Sequence, residues 1–270
     1  RLDVVVGSMD RCVYALSGRE GGLLWRLETD GQIISSPALG DLDGDGALDC
    51  VVGARDPDKR VHAISGATGR TLWTQETGNA VMSSPALGDL NGDGVLDCVV
   101  GSWDRKVYAL SGGDGASVWT YETQSWVTAS VATADLDGDG VLDCVAGSQD
   151  GIVHALSGWG GAEMWTADVE GPVWADPAVV DLDGDGVLDV VVANSDGDVQ
   201  SCGLRVTALS GRDGSALWLF HGDQVMPSYA VSSPAMGDLD GDGVPDCVVG
   251  GNDHKVYALS GKNGAVLWSY

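Results

Sequence analysis

Asp41-Leu42-Asp43-Gly44-Asp45-Gly46-Ala47-Leu48-Asp49-Cys50-Val51-Val52-Gly53 is the stretch that decides the fold, because the chain writes it five times. It returns with small changes at Asp89, Asp135, Asp181 and Asp238, at spacings of 48, 46, 46 and 57 residues. A second phrase, Val-Tyr-Ala-Leu-Ser-Gly or a close variant followed by a turn and a Trp, occurs six times. It ends at Trp25, Trp73, Trp119, Trp165, Trp218 and Trp268. A period of 46 to 57 residues is too long for one coil of a β-helix and suits a four-stranded propeller blade.

The strands can be read within one repeat. Strand A is expected over 83–88, B over 96–101, C over 106–112 and D over 117–122. These segments are short, rich in β-branched residues and broken by Gly, which argues against helix. The C–D link is Ser-Gly-x-x-Gly in all six repeats, a hairpin with Gly where positive φ is needed. The expected fold class is all-β, a β-propeller of four-stranded antiparallel blades forming one domain over 1–270. Its repeats run approximately 1–30, 31–78, 79–124, 125–170, 171–223 and 224–270. Six blades are expected, the first incomplete: Arg1 to Gly7 aligns with the second half of an aspartate loop and strand B. The missing half should lie upstream or come from elsewhere, and seven or eight blades stay open if flanking sequence exists.

Composition narrows the function. Gly is 41 of 270 residues, Trp 10 and Phe 1, and 44% hydrophobic content is enough to build a core. A net charge of −26 excludes a general nucleic-acid surface, which needs a basic face. No apolar run approaches the ~20 residues of a membrane-spanning helix, so no membrane insertion is expected. No signal peptide is visible; a targeting segment is expected to have been removed or to lie outside these residues. Nineteen of the 40 acidic residues sit in the five repeated clusters, a placement that suggests metal binding rather than a solvating tail.

Each cluster reads Asp-x-[Asp/Asn]-Gly-Asp-Gly-x-x-Asp. Side chains at positions 1, 3, 5 and 9 and the carbonyl of position 7 can converge on one cation, with Gly at 4 and 6 allowing the tight curl. The expected ligands are Asp41, Asp43, Asp45, the Ala47 carbonyl and Asp49 in the first loop. In the second they are Asp89, Asn91, Asp93, the Val95 carbonyl and Asp97, and in the third Asp135, Asp137, Asp139, the Val141 carbonyl and Asp143. The fourth offers Asp181, Asp183, Asp185, the Val187 carbonyl and Asp189, and the fifth Asp238, Asp240, Asp242, the Val244 carbonyl and Asp246. Hard oxygen donors in this number suit Ca²⁺ better than Mg²⁺, and about five ions are expected with no organic cofactor. Position 12 is Val or Ala throughout, so these are not EF-hands, which need Glu there. Asp-Gly pairs could simply make turns, but such concentrated carboxylates, repeated five times, would repel without a cation.

The loops resemble the FG-GAP or VCBS repeat of integrin α-subunit propellers and bacterial surface proteins. Lys255 to Trp268 is similar to the repeat of PQQ-type propellers, which include quinoprotein dehydrogenases and a non-enzymatic outer-membrane assembly lipoprotein. The resemblance implies calcium loops at one end of the blades beside the C–D turns, with B–C and D–A segments forming a partner-binding face opposite. Eight of the 14 Lys and Arg fall in or beside B–C connections: Arg11, Arg55, Lys59, Arg60, Arg105, Lys106, Arg205 and Lys255. Trp103, Trp126, Trp174, His221 and Tyr229 lie in B–C or D–A segments and are the candidate contacts for a protein or glycan. The competing reading is that these Trp wedge between blades and the cations balance Asp10, Asp56, Asp104 and Asp253. Eleven extra residues between the fourth and fifth loops divide between 194–205 and 220–229, and read as long loops on that same face.

Cys50, Cys98, Cys144 and Cys247 share one repeat position with Val4 and Val190, which suggests a buried apolar slot with free thiols. Cys12 and Cys202 fall in those two exceptional repeats, a hint of pairing that stays unassigned. His62 and His154 replace the Tyr of strand C and are expected to pack. No nucleophile elbow, phosphate loop or His-Glu-x-x-His is present, so no enzyme is expected. The expectation is an extracellular, cell-surface or periplasmic calcium-stabilised module for binding, adhesion or structure. Alternatives are a subunit of a surface filament self-associating by strand complementation, and a PQQ-dependent oxidoreductase or polysaccharide-lyase propeller.

Overall fold

The computed structural model describes residues 3–195, 202–225, 232–251 and 253–270. Every regular element among them is a β-strand, and every sheet is antiparallel with strands in chain order. The first sheet has three strands: β1 (Val4–Gly7), β2 (Cys12–Leu16) and β3 (Leu23–Glu28). The second holds β4 (Ala38–Gly40), β5 (Asp49–Gly53), β6 (Arg60–Ile64) and β7 (Thr71–Glu76). The third holds β8 (Ala86–Gly88), β9 (Asp97–Ser102), β10 (Lys106–Leu110) and β11 (Ser117–Glu122). The fourth holds β12 (Ala132–Ala134), β13 (Asp143–Gly147), β14 (Ile152–Leu156) and β15 (Glu163–Asp168). The fifth holds β16 (Ala178–Val180), β17 (Asp189–Ser195), β18 (Cys202–Leu209) and β19 (Ala216–Val225). The sixth holds β20 (Ala235–Gly237), β21 (Asp246–Gly250), β22 (Val256–Leu259) and β23 (Val266–Ser269). The last five are the A-B-C-D blades of a β-propeller, and the first sheet supplies strands B, C and D. The chain falls into two compact units, Arg1–Val131 with Trp159–Gly161, and Ala132–Gly158 with Ala162–Tyr270.

Strand A is three residues long where the sequence suggested six. Pro37 and Pro85 have no N–H to pair, and the Ser two residues earlier takes over. Ser35 Oγ accepts the Gly53 N–H at 2.9 Å and Ser83 Oγ accepts the Gly101 N–H at 3.1 Å. The 194–205 and 220–229 extensions, read as loops, are strand wherever they are described. They lengthen β17, β18 and β19 to seven, eight and ten residues.

The core lies between neighbouring blades, which is why strands B and C do not alternate in polarity: β5, β9, β13 and β17 are buried at every residue. In the first unit, Val51 and Val61 of one blade pack with Cys98 and Val100 of the next; in the second, Val191 and Val206 pack with Cys247 and Val249. Strand D supplies the fixing residue. Trp73 Nε1 donates to Gly112 O at 2.6 Å, Trp25 to Gly66 O at 2.8 Å, Trp165 to Gly211 O at 2.7 Å and Trp218 to Gly261 O at 2.6 Å. Each indole thus crosses to the Ser-Gly turn of the following blade. The second Gly of that turn has positive φ, and a Cβ on Gly115 would lie 2.6 Å from the Trp73 ring.

Candidate metal centres

The aspartate loops are built from their own backbone. Gly at positions 4 and 6 has φ between +71° and +88° in all five loops, a region closed to most side chains. That curl turns N–H groups inward onto the first Asp. Asp41 Oδ1 accepts the Gly44 N–H at 2.8 Å and its Oδ2 accepts the Gly46 N–H at 3.0 Å. Asp89, Asp135, Asp181 and Asp238 make the same pair of bonds. The third side chain accepts the N–H of position 5, as from Asp43 to Asp45 at 3.1 Å and from Asn91 to Asp93 at 2.9 Å. The fifth carboxylate accepts the N–H of position 7, where Ala47, Val95, Val141, Val187 and Val244 stand, at 2.7–2.9 Å.

The ninth Asp, expected as a ligand, is also the tie that locates the loop. Asp49, Asp97, Asp143, Asp189 and Asp246 are buried, and in each Oδ2 accepts the N–H of position 2 at 2.8–3.1 Å. The other oxygen of Asp49, Asp143, Asp189 and Asp246 accepts the N–H of the turn Gly of the same blade: Gly66, Gly158, Gly211 and Gly261. That Gly has no room for a side chain, because a Cβ on Gly66 would lie 1.8 Å from Leu48 O. The A–B loop and the C–D turn are thereby clamped at one end of the blade. Asp3 keeps the same bond to Gly18 at 3.0 Å.

The clamp gathers negative charge. In four loops three carboxylates each place an oxygen within 4.8 Å of the others: Asp41, Asp43 and Asp45; Asp135, Asp137 and Asp143; Asp181, Asp183 and Asp189; Asp238, Asp240 and Asp246. The second loop carries Asn91 in place of one carboxylate. Burial raises the Asp97 carboxyl to about 6, against the pull of the Leu90 N–H, and also raises Asp143 and Asp189. Convergent hard oxygens, orientation by backbone N–H donors and a buried carboxylate pushed toward neutrality fit a resident divalent cation, which would hold the anionic forms.

Sequence reasoning missed Arg212 and Lys262. Each follows the Ser-Gly of its turn, and each reaches the fifth carboxylate of its own loop: Arg212 Nη2 lies 2.8 Å from Asp185 Oδ2 and Lys262 Nζ 2.8 Å from Asp242 Oδ2. The signal was a basic residue beside a turn already known to neighbour the loop.

At the B–C end the structure brings together two of the candidate partner residues. The Trp103 and Trp126 rings stack at 4.8 Å and 11°, with the Arg55 guanidinium 6.0 Å from the Trp103 centroid and Trp126 43% exposed. Trp174 is half-buried, His221 is exposed and Tyr229 lies outside the described residues. Arg205 points inward instead, 8% exposed and paired with Glu170 Oε2 at 2.6 Å. Cys12, Cys50, Cys98, Cys144 and Cys247 are buried free thiols, and burial pushes Cys50, Cys98 and Cys247 up to about 12. The Cys202 side chain lies outside the described ones.

With this geometry in place, the model of the family described as outer membrane protein assembly factor BamB matches residues 3–139 and again 104–270. The chain belongs to the BamB family. BamB from Moraxella catarrhalis is similar over 99% of this chain and 85% of its own, at 20% identity and a TM-score of 0.56. The V. cholerae biofilm matrix protein Bap1 is similar over 89% of this chain, which spans 40% of Bap1, at 20% identity and a TM-score of 0.62. Saccharomyces cerevisiae Sqt1 is similar over 99% of this chain and 70% of its own, at 15% identity and a TM-score of 0.69. No curated protein matches by sequence. The BamB family and these neighbours establish the PQQ-like repeat and the propeller fold.

Proposed function

We propose that this chain is a calcium-stapled propeller module, non-enzymatic, acting at or outside the cell envelope with the FG-GAP type of loop on a PQQ-type blade. The carrying observation is the repeated loop in which three carboxylates meet within 4.8 Å on a backbone N–H cradle. In each loop the side chains of positions 1, 3, 5 and 9 would hold Ca²⁺. The bound ion supplies charge neutralisation. The ninth Asp then links the metal to the C–D turn, so calcium stiffens the A–B loop and the hairpin together. The BamB name, which places that relative with the outer membrane, and the biofilm matrix role in the name of Bap1 support an envelope or extracellular setting. Thiols raised to about 12 by burial and a His62 bound to buried Asp58 support a scaffold rather than a catalyst.

The test is a thermal melt in about 2 mM CaCl₂ against excess EGTA, with bound ions counted. At a dissociation constant of ~0.1 mM each site adds about 2 kcal/mol. Five sites would therefore raise Tm by more than about 10 °C for a chain of this size. No shift and no ions would reduce the loops to turns.

The Trp103–Trp126 stack, with Arg55 at its side, is the proposed contact for a protein or glycan partner. On an array of glycans and surface proteins, W126A should lose the ligands that the native chain retains; an unchanged pattern would remove the stack from the binding face. A second reading is favoured by the edge of β1, whose partner among the described residues is β2 alone. A strand added there would join copies, and light scattering that stays monomeric at high concentration would reject it.

A further inference from the structure

The five loops share one backbone design but not one electrostatic setting. In the fourth and fifth, the position-5 carboxylate already has a cation. Arg212 approaches Asp185 Oδ2 with Nε at 3.1 Å and Nη2 at 2.8 Å, and Lys262 Nζ stands 2.8 Å from Asp242 Oδ2. The approach is built in. Asp189 binds the Gly211 N–H and Asp246 the Gly261 N–H, so the next residue of each turn is delivered beside its loop. The contacted oxygen also matters, because Oδ1 of Asp185 and of Asp242 is committed to the Val187 and Val244 N–H groups. Oδ2 is the oxygen that the side-chain cation takes, and the carboxylates that converge within 4.8 Å in these two loops are those of positions 1, 3 and 9, without position 5.

The first three loops have no such residue. Ala67, Gly113 and Trp159 stand at the same turn position, and none can bring a positive charge. The second loop has fewer carboxylates, but Asn91 keeps a neutral oxygen there, and among the described residues no Lys or Arg pairs with Asp93.

Resting on the calcium reading above, we propose that Arg212 and Lys262 are tethered counter-cations that make the fourth and fifth loops the weaker calcium sites. Ca²⁺ entering these loops must displace a charge-assisted hydrogen bond or share its ligands with a nearby positive group. Both basic side chains remain largely exposed, 63% for Arg212 and 49% for Lys262, so the competition weakens binding without blocking it. The second compact unit, which contains both loops, is then the part of the chain that gives up calcium first as its concentration falls.

The experiment is equilibrium dialysis of the full chain against chelator-buffered Ca²⁺, with bound metal measured by atomic absorption. The native chain should release two ions at about tenfold higher free Ca²⁺ than the rest, the scale of one unit charge beside a divalent ion near the surface. The R212A/K262A double variant should shift those two into the tight class. In the opposite direction, Ala67→Arg, at an exposed turn position, should weaken one tight site by a similar factor. That variant carries the test even if the double variant misfolds. A native isotherm with five equal sites, or variants that leave it unchanged, overturns the proposal while leaving calcium binding intact. An absence of bound ions in every variant overturns the calcium reading itself and the proposal with it.

Discussion

At the residue scale, one position on strand C shows how the same slot is filled in two ways. Tyr14 Oη donates to Asp10 Oδ2 at 2.6 Å and Tyr108 to Asp104 Oδ2 at 2.5 Å, and Tyr257 makes the same bond to Asp253. His62 reproduces it, with Nε2 3.1 Å from both Asp58 oxygens. Burial works against the Asp58 charge, but the His62 bond holds its carboxyl below the ordinary value. At His154 burial dominates and lowers the imidazole below its usual 6.5, against the attraction of Asp150. A histidine whose folded value is depressed contributes stability that is fully present above its unfolded value and is lost as pH falls through the folded one. His154→Tyr should therefore remove part of the acid-side loss of stability. The check is the difference in Tm between native and variant chains in saturating Ca²⁺ at pH 7.5 and pH 5. A difference that does not grow toward pH 5 would contradict it. The packing role of both histidines was legible from the Tyr at equivalent positions; both are 6% exposed, and the bond that sets His62 apart is the one to Asp58.

At the element scale, the blade was readable strand by strand where a single residue type marks its limits. β11 spans the Ser117–Glu122 segment expected for strand D, because Gly115 opens it and Trp119 anchors it. Strand A was over-read because Pro and Ser at its start break the ladder without altering the apolar pattern. The Trp-to-turn contact gives the sharpest prediction here. Gly115 and Gly21 occupy the same turn position with φ of +73° and +67°, so Ala at either should carry a similar conformational cost. A Cβ on Gly115 would strike the Trp73 ring, whereas one on Gly21 meets nothing within 4 Å. Gly115→Ala should lose about 1–3 kcal/mol more than Gly21→Ala in urea unfolding, the range for overpacking a filled site. Equal losses would mean the indole does not clamp the turn.

At the scale of the whole molecule, charge is the controlling quantity. A net charge of −26, much of it in five clusters, opposes any compact state, and five bound Ca²⁺ would bring the formal value to −16. Salt should partly replace the metal. Between about 20 mM and 500 mM NaCl the screening length falls from ~20 Å to ~4 Å, so repulsion among the loops weakens. In EGTA, Tm should climb by several degrees over that range, whereas in saturating Ca²⁺ it should change little. A calcium-free melt indifferent to salt would show that the carboxylates do not strain the fold.

The sequence by itself determined the repeat, the all-β class, the strand order and the five candidate loops. The physical reason is locality: Gly with positive φ and Asp accepting N–H groups three and five residues ahead act within nine residues of chain. The family match and the structure agree on the repeat and the fold class because blade and turn are written in the same short phrases. Only the tertiary structure decided which distant side chains meet. The ion pair of Arg212 with Asp185 spans 27 residues, that of Arg205 with Glu170 spans 35, and the Trp103–Trp126 stack joins a B–C loop to a D–A segment. Each depends on strand register and on the depth of a neighbouring blade, which no local pattern encodes.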